Sequence, residues 1–292
     1  YIFIGNSGVI SFGHAGFTCL GGYAAAWLTI PPMMKQTLLP GLPDWLMNLQ
    51  LPFWAGAIFA AVWAALWAAV FGKILMRLSG IAASIATFAM LAMINTIYSN
   101  WESVTAATSS VVGIPIVRSI WPYLIAAILA VFVAWAHSIS RAGLALRAAR
   151  DEPTAAAASG IDAPKERLVA FIISGAVMGM GGALFAHSIG VVTPDTFYLT
   201  LTFITLSMLV VGGMGSLSGA VLGVVILSGL IQGLRWLEAG VSIGTTTFAI
   251  PNGLQEITLG IVMILILARR PSGIMANSEL NWTRSRSEDP GV

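Results

Sequence analysis

"FWAGAIFAAVWAALWAAVFGKILM", residues 53–76, carries a single charge, Lys73, close to its end. A helix on a soluble core alternates an apolar face with a polar one, and this stretch has no polar face. About 20 mostly apolar residues suffice to cross a bilayer as a helix. The run is continuous rather than alternating, which argues against a membrane β-barrel strand. It reads as a membrane-spanning helix.

Comparable runs cover about 15–30, 79–100, 121–138, 168–190, 199–212, 219–237 and 254–268. The whole chain of 292 residues is 57% hydrophobic and 9% charged. Soluble domains carry about 25% charged residues, so that class is excluded. The expected fold is all-α: a polytopic transmembrane bundle of about eight helices with discontinuous glycine-rich segments. Residues 1–271 form its membrane domain, and the polar segment 272–292 is expected to be a disordered cytoplasmic tail. Tyr1 stands inside an apolar segment, which predicts a further helix upstream. Cys19 is the single cysteine, so no disulfide framework exists.

Charge placement orients the bundle. Basic residues gather on the cytoplasmic side of membrane proteins. Lys73, Arg77, Arg141, Arg147, Arg150, Lys165, Arg167, Arg269, Arg270, Arg284 and Arg286 fall together if 73–78, 139–167 and the C-terminus are inside. Only Lys35, Arg118 and Arg235 remain outside, with the loops 31–52, 101–120, 191–198 and 238–253. Trp45, Trp54, Trp101 and Trp121 fit an aromatic belt at that outer surface.

Two glycine-rich stretches interrupt the spans: "GNSGVISFGHAGF" at 5–17 and "GGMGSLSG" at 212–219. Broken backbone at membrane depth needs internal hydrogen-bond partners or a wet cavity. Asn6, Ser7, Ser11 and His14 can supply them at the first break. A shift of 207 positions lays Gly5, Gly8, Ser11, Gly16 and Gly22 on Gly212, Gly215, Ser218, Gly223 and Gly229, which suggests an internal repeat. Candidate path-lining residues are Asn6, Ser11, His14, Asn95, Gly213, Gly215 and Ser218. Thr87, Gln255 and Glu256 are further polar groups in apolar surroundings. His14 and His187 are ionisable groups near the membrane, and either could equally be a neutral imidazole tying helices together. Ser174, Gly175, Gly179, Gly181 and Gly182 read as small residues for close helix packing.

Residues 139–167 form the long charged loop between helices. Asp151, Glu152 and Pro153 mark a helix start, alanines fill 155–158, and Gly160 stops it. Small side chains among Arg147, Arg150, Lys165 and Arg167 suit either a solvated connector or a docking helix for a cytoplasmic partner.

This loop, "AFIISGAVMGMGGALFAHSIGVVTPDTF" and "VVGGMGSLSGAVLG" resemble the permease subunits of branched-chain amino acid ABC importers, of the LivM type. The family pattern R-D-[DE]-x-x-A-A-x-A-x-G-I is matched by Arg150, Asp151, Glu152, Ala155, Ala156, Ala158, Gly160 and Ile161. "GVISFGHAGFTCLGGYAAA", "RLSGIAASIATFAMLAMINTIYSNW" and "RRPSG" are similar to further family blocks, and the matches run from residue 5 to about 274. The resemblance implies that Arg147, Arg150, Asp151, Glu152, Ala155, Ala156 and Gly160 couple the chain to ATPases. It also implies two ABC ATPase subunits as partners, a paralogous permease subunit and a periplasmic or extracellular solute-binding protein. Membrane lipid surrounds the bundle, and no nucleic-acid partner is expected. ATP and magnesium would be bound by the ATPases. The expected location is a bacterial inner membrane, with the C-terminus cytoplasmic. Pro153 and Thr154 replace acids of the family patterns, and Thr105 to Ser110 replace a glycine-rich external segment.

The chain has no G-x-x-x-x-G-K-[ST] phosphate loop, so it is not expected to be an enzyme or to hydrolyse ATP itself. Branched-chain or other apolar amino acids are the expected cargo; urea, short amides or a sugar are the alternative for the same build. A stand-alone channel or carrier is disfavoured by the coupling loop. A more distant reading pairs Ser7 of Gly5-Asn6-Ser7-Gly8 with His187 of Ala186-His187-Ser188-Ile189-Gly190, as in rhomboid-type intramembrane proteases. That reading requires the two side chains to be in hydrogen-bond contact.

Overall fold

The computed structural model describes residues 1–238, 241–243, 246–248, 254–270 and 273–275. Most of the expected tail and of the outer loop 238–253 lies outside the described residues, as do the side chains of Gln255 and Glu256. The chain divides into two compact units, residues 2–204 and 205–292, with Tyr1 grouped with the second.

The first unit begins with α1 (Ile4–Ser7), a break at 8–13 and α2 (His14–Thr29). Two short helices, α3 (Pro32–Leu38) and α4 (Asp44–Met47), lead to α5 (Phe53–Leu75) and α6 (Gly80–Asn100). There follow α7 (Glu102–Thr105), β1 (Val111–Val112), α8 (Trp121–Ile139), α9 (Arg141–Asp151), α10 (Pro153–Ala158), α11 (Ala163–Ile189) and β2 (Val191–Val192). A 3-10 turn at Pro194–Phe197 precedes α12 (Leu199–Gly212), inside which the division between units falls. The second unit continues with α13 (Leu217–Glu238), the antiparallel pair β3 (Val241–Ile243) and β4 (Thr246–Phe248), and α14 (Leu254–Arg269).

Among the described residues, six segments are long and apolar enough to span a bilayer: Phe53–Leu75, Gly80–Asn100, Trp121–Ile139, Ala163–Ile189, Pro194–Gly212 and Leu217–Trp236. The 16-residue helices α2 and α14 complete the eight runs expected from sequence. The protein is an all-α, polytopic membrane protein.

Residue size, not polarity, distinguishes the faces of α5. Ala57, Ala60, Ala64, Ala68 and Gly72 are buried, while Ile58, Val62, Leu66, Val70 and Ile74 are exposed. Large apolar groups lose nothing by facing lipid, whereas small ones let backbones approach. α11 packs on both α5 and α2 through the same device. Gly175 and Gly179 lie against Ala68 and Ala64 of α5, and Gly182 lies against the Thr18 carbonyl of α2. Gly181 has no such neighbour, so of the expected small-residue set it alone leaves open space.

The loops of this unit gather at two ends. At one end, Arg150 Nη1 donates to Gly5 O at 2.6 Å and Arg167 Nη1 to Leu78 O at 3.3 Å. The 8–13 break, the turn after α5 and the α9–α10 segment therefore share that end. At the other, Leu51 N donates to Leu28 O, Gly41 N to Ser103 O, Val117 N to His187 O, and Trp27 Nε1 to Val104 O. β1 and β2 pair there, with Val111 opposite Val192. Lys35 is fully buried among these loops; its Nζ donates to Leu46 O at 3.0 Å and also to Leu49 O. Burial holds its pKa below the usual lysine value.

In the second unit, α12 ends at Gly212 and Gly213 turns the chain with φ +118°. Ser216 Oγ accepts from Gly219 N at 2.9 Å and starts α13. The last carbonyls of α12 find partners far along the chain: Ile274 N donates to Val211 O at 2.9 Å and Met275 N to Gly212 O at 3.0 Å.

Candidate functional site

The break between α1 and α2 is held by side chains from three other helices. α1 closes with Gly8 N donating to Ile4 O at 2.9 Å, and Gly8 takes the left-handed φ of +70°. Val9 N turns back to Ser7 Oγ at 3.2 Å, so it does not continue the helix onto Gly5 O. Arg150 of α9 donates to that carbonyl instead. From α6, Ser84 Oγ donates to Ile10 O at 2.7 Å, and Thr87 Oγ1 accepts from Phe12 N at 3.3 Å while donating to Ser84 O at 2.9 Å. Side chains thus pair Gly5 O, Val9 N, Ile10 O and Phe12 N, the kind of internal partner that broken backbone in lipid surroundings needs.

His14 opens α2 and reaches α11. Its Nε2 lies 2.8 Å from Ser174 Oγ and its Nδ1 2.9 Å from Ser11 Oγ. Ser174 Oγ donates to Phe171 O at 3.0 Å, so its hydroxyl hydrogen is committed and His14 Nε2–H donates to it. Ser11 Oγ accepts from Gly13 N at 3.4 Å and donates to Nδ1. A neutral imidazole assigned in this way satisfies every member. Phe3, Phe17 and Phe171 surround the ring, with centroids 5.6, 6.1 and 5.4 Å from it.

Asn6 is fully buried; its Nδ2 donates to Ile2 O at 2.9 Å, while its Oδ1 lacks a partner among the described residues. The Asn95 Nδ2 on α6 is likewise buried and unpartnered. Such atoms can bond a water or a polar solute passing them. At the second break, Gly213 is buried and Gly215 and Ser218 are half-buried. The two breaks share helix–break–helix order but not register. Positive φ falls on Gly8 in one and on Gly213 in the other, although the 207-residue shift pairs Gly8 with Gly215.

The other end of the Arg150 connection is the charged loop. It folds as two helices, α9 and α10, where sequence predicts only the second. Ser140 caps α9, accepting from Gly143 N at 3.2 Å, and Leu146 and Ala149 bury its inner face. Asp151, Glu152, Ala155 and Gly160 are exposed around α10, and Gly160 has φ +80° with open space beside it. Ala156 is buried, Arg147 Nη2 donates to Ser138 O at 2.7 Å, and Arg150 turns to the break. Of the seven residues expected at a coupling surface, these three are directed into the chain.

The family model described as "Branched-chain amino acid transport system / permease component" matches residues 1–267. The chain belongs to this permease family. Similar proteins include the high-affinity branched-chain amino acid transport system permease proteins LivM of Salmonella typhimurium and Escherichia coli. Each is 24% identical, over 94% of this chain and 65% of the relative. The chain therefore spans slightly under two thirds of the length of these relatives. A probable branched-chain amino acid transport permease protein LivH of Methanocaldococcus jannaschii is 33% identical over 45% of this chain and 40% of its own. No solved structure matches.

Within the permease, Ser7 and His187 are not a dyad. Ser7 precedes α2, whereas His187 bonds Thr29 Oγ1 at 3.1 Å at its far end. Sixteen helical residues separate those ends, about 24 Å at 1.5 Å per residue. His187 Nδ1 lies 2.7 Å from Ala183 O, and the ring ties α11 to α2. Ser84 is the break residue that sequence reading does not single out. Its position one turn before Thr87 on an otherwise apolar helix is the signal that marks it.

Proposed function

We propose that this chain is the transmembrane subunit of an ABC importer that moves branched-chain or other apolar amino acids inward by alternating access. The observation that carries the reading is the exposed, small-residue helix α10, displayed beside α9 in a chain of this permease family. Two ATPase subunits dock on α10 and hold the ATP and magnesium, so this chain performs no hydrolysis. A paralogous permease completes the pathway, and a solute-binding protein delivers cargo to the loops around Lys35 and β1–β2. The protein resides in a bacterial inner membrane with α9 and α10 at the cytoplasmic face and the C-terminus on the same side. Asp151, Glu152, Ala155 and Gly160 meet the ATPases, and the polar groups of the breaks, with Asn6 and Asn95, border the path.

Co-purification with the ATPases and uptake of leucine into proteoliposomes test this. ATP-dependent uptake that requires the binding protein is the expected result. Uptake without ATP, or a chain that never retains an ATPase, overturns the reading.

A further inference from the structure

We infer that Arg150 is a positioning residue that relays movement of the α9–α10 segment to the helix break at 8–13; the inference rests on the importer reading above. Arg150 is the penultimate residue of α9, three positions before α10 begins at Pro153. A residue serving only as a docking charge would extend to solvent. Arg150 instead lays its stem over Gly8 and its guanidinium on Gly5. Nη1 donates to Gly5 O at 2.6 Å and Nε to Asp151 Oδ1 at 2.9 Å. The guanidinium thus holds the acid that ends α9 and a carbonyl of α1, three residues ahead of the break, in a fixed planar fork.

Gly8 fits this arrangement twice over. Its φ of +70° disfavours any side chain, and a Cβ there would fall 2.6 Å from Arg150 Cγ. From the break the connection continues into the bundle. Ile10 and Phe12 are bonded to Ser84 and Thr87 of α6, and Ser11 is linked through the His14 ring to Ser174 of α11. A displacement of α10 therefore reaches two membrane helices through the backbone segment that Arg150 grips. Coupling of this kind travels through contiguous contacts that both sites can bias.

The test uses the assembled transporter in proteoliposomes and reads solute transported per ATP hydrolysed. Arg150→Ala is expected to lower that ratio about five-fold or more, the lower end of typical intersite coupling. Arg150→Lys, which keeps a donor without the fork, restores part of it. Gly8→Ala lowers it without altering the loop. A docking role would reduce hydrolysis and transport together and leave the ratio unchanged; that result overturns the relay. A second readout is independent of the solute. Ile10, 40% exposed, is replaced by cysteine (Ile10→Cys) in a Cys19→Ala background, and maleimide labelling is followed with and without ATP. The labelling rate is expected to respond to ATP with Arg150 and not with Arg150→Ala. An equal response in both overturns the relay, whereas a wild-type transporter that labels as expected but carries no leucine counts against the proposed cargo alone.

Discussion

His14 and Ser174, 160 positions apart, share a 2.8 Å hydrogen bond that joins the start of α2 to the interior of α11. With Ser11 on the other ring nitrogen, the imidazole acts as a neutral cross-brace. His14→Ala leaves Ser11 and Ser174 without it and is expected to cost about 1–3 kcal/mol of stability. Thermal unfolding in detergent reads this loss. Transport between pH 6 and 8 should keep the same profile in wild type and His14→Gln; a profile that changes shape would assign His14 a proton-transfer role instead.

Gly182 and Gly181 are neighbours with opposite tolerance. A methyl at Gly182 meets the Thr18 carbonyl, while one at Gly181 meets nothing within 4 Å. Gly182→Ala should therefore destabilise the bundle by about 1–3 kcal/mol or displace α2, and Gly181→Ala should be neutral. Folded yield by fluorescence-detected size exclusion distinguishes them, and equal yields would contradict the packing described.

Lys35 should resist amine-reactive reagents that modify the exposed Lys73 and Lys165. Mass spectrometry after brief labelling checks this. Lys35→Met removes the donor to Leu46 O and Leu49 O, and the segment 31–52 should become several-fold more sensitive to protease. Unchanged cleavage would show that the loop is held by other contacts.

If α10 is the proposed ATPase-docking helix, docking and folding are separable within one of its turns. Ala155→Glu, on the exposed side, is expected to weaken ATPase retention about ten-fold, equivalent to about 1.4 kcal/mol. Ala156→Leu overfills a buried position and should lower folded yield first. Pull-down of the ATPases, normalised to folded permease, tells the two apart.

The spans were legible because continuous apolar runs carry their own signal, and all eight runs correspond to long helices. α9 was less so: "RAGLALRAARD" alternates small, apolar and charged residues too evenly to show as a span. Its amphipathic face becomes visible only when Leu146 and Ala149 are seen buried. The glycine-rich break could be read from Gly5, Gly8 and Gly13, but its partners could not. Ser84, Thr87, Arg150 and Ser174 lie 74 to 160 positions from the groups they bond. No local pattern encodes such a pairing. The small-residue stripe of α5 was equally silent, since alanine and isoleucine both count as apolar while only their volumes separate inside from outside.

The pairing of Ile274 and Met275 with Val211 and Gly212 sets an order of events during synthesis. When α12 emerges from the ribosome, the residues that will cover its last two carbonyls have not been made. At 5–20 residues per second, translating the intervening 63 positions takes roughly 3–13 s. Throughout that interval the newborn helix must borrow water or the insertion machinery to shelter those carbonyls. A ribosome stalled before Met275 would leave α12 accessible to quality-control proteases in a way that the finished chain is not.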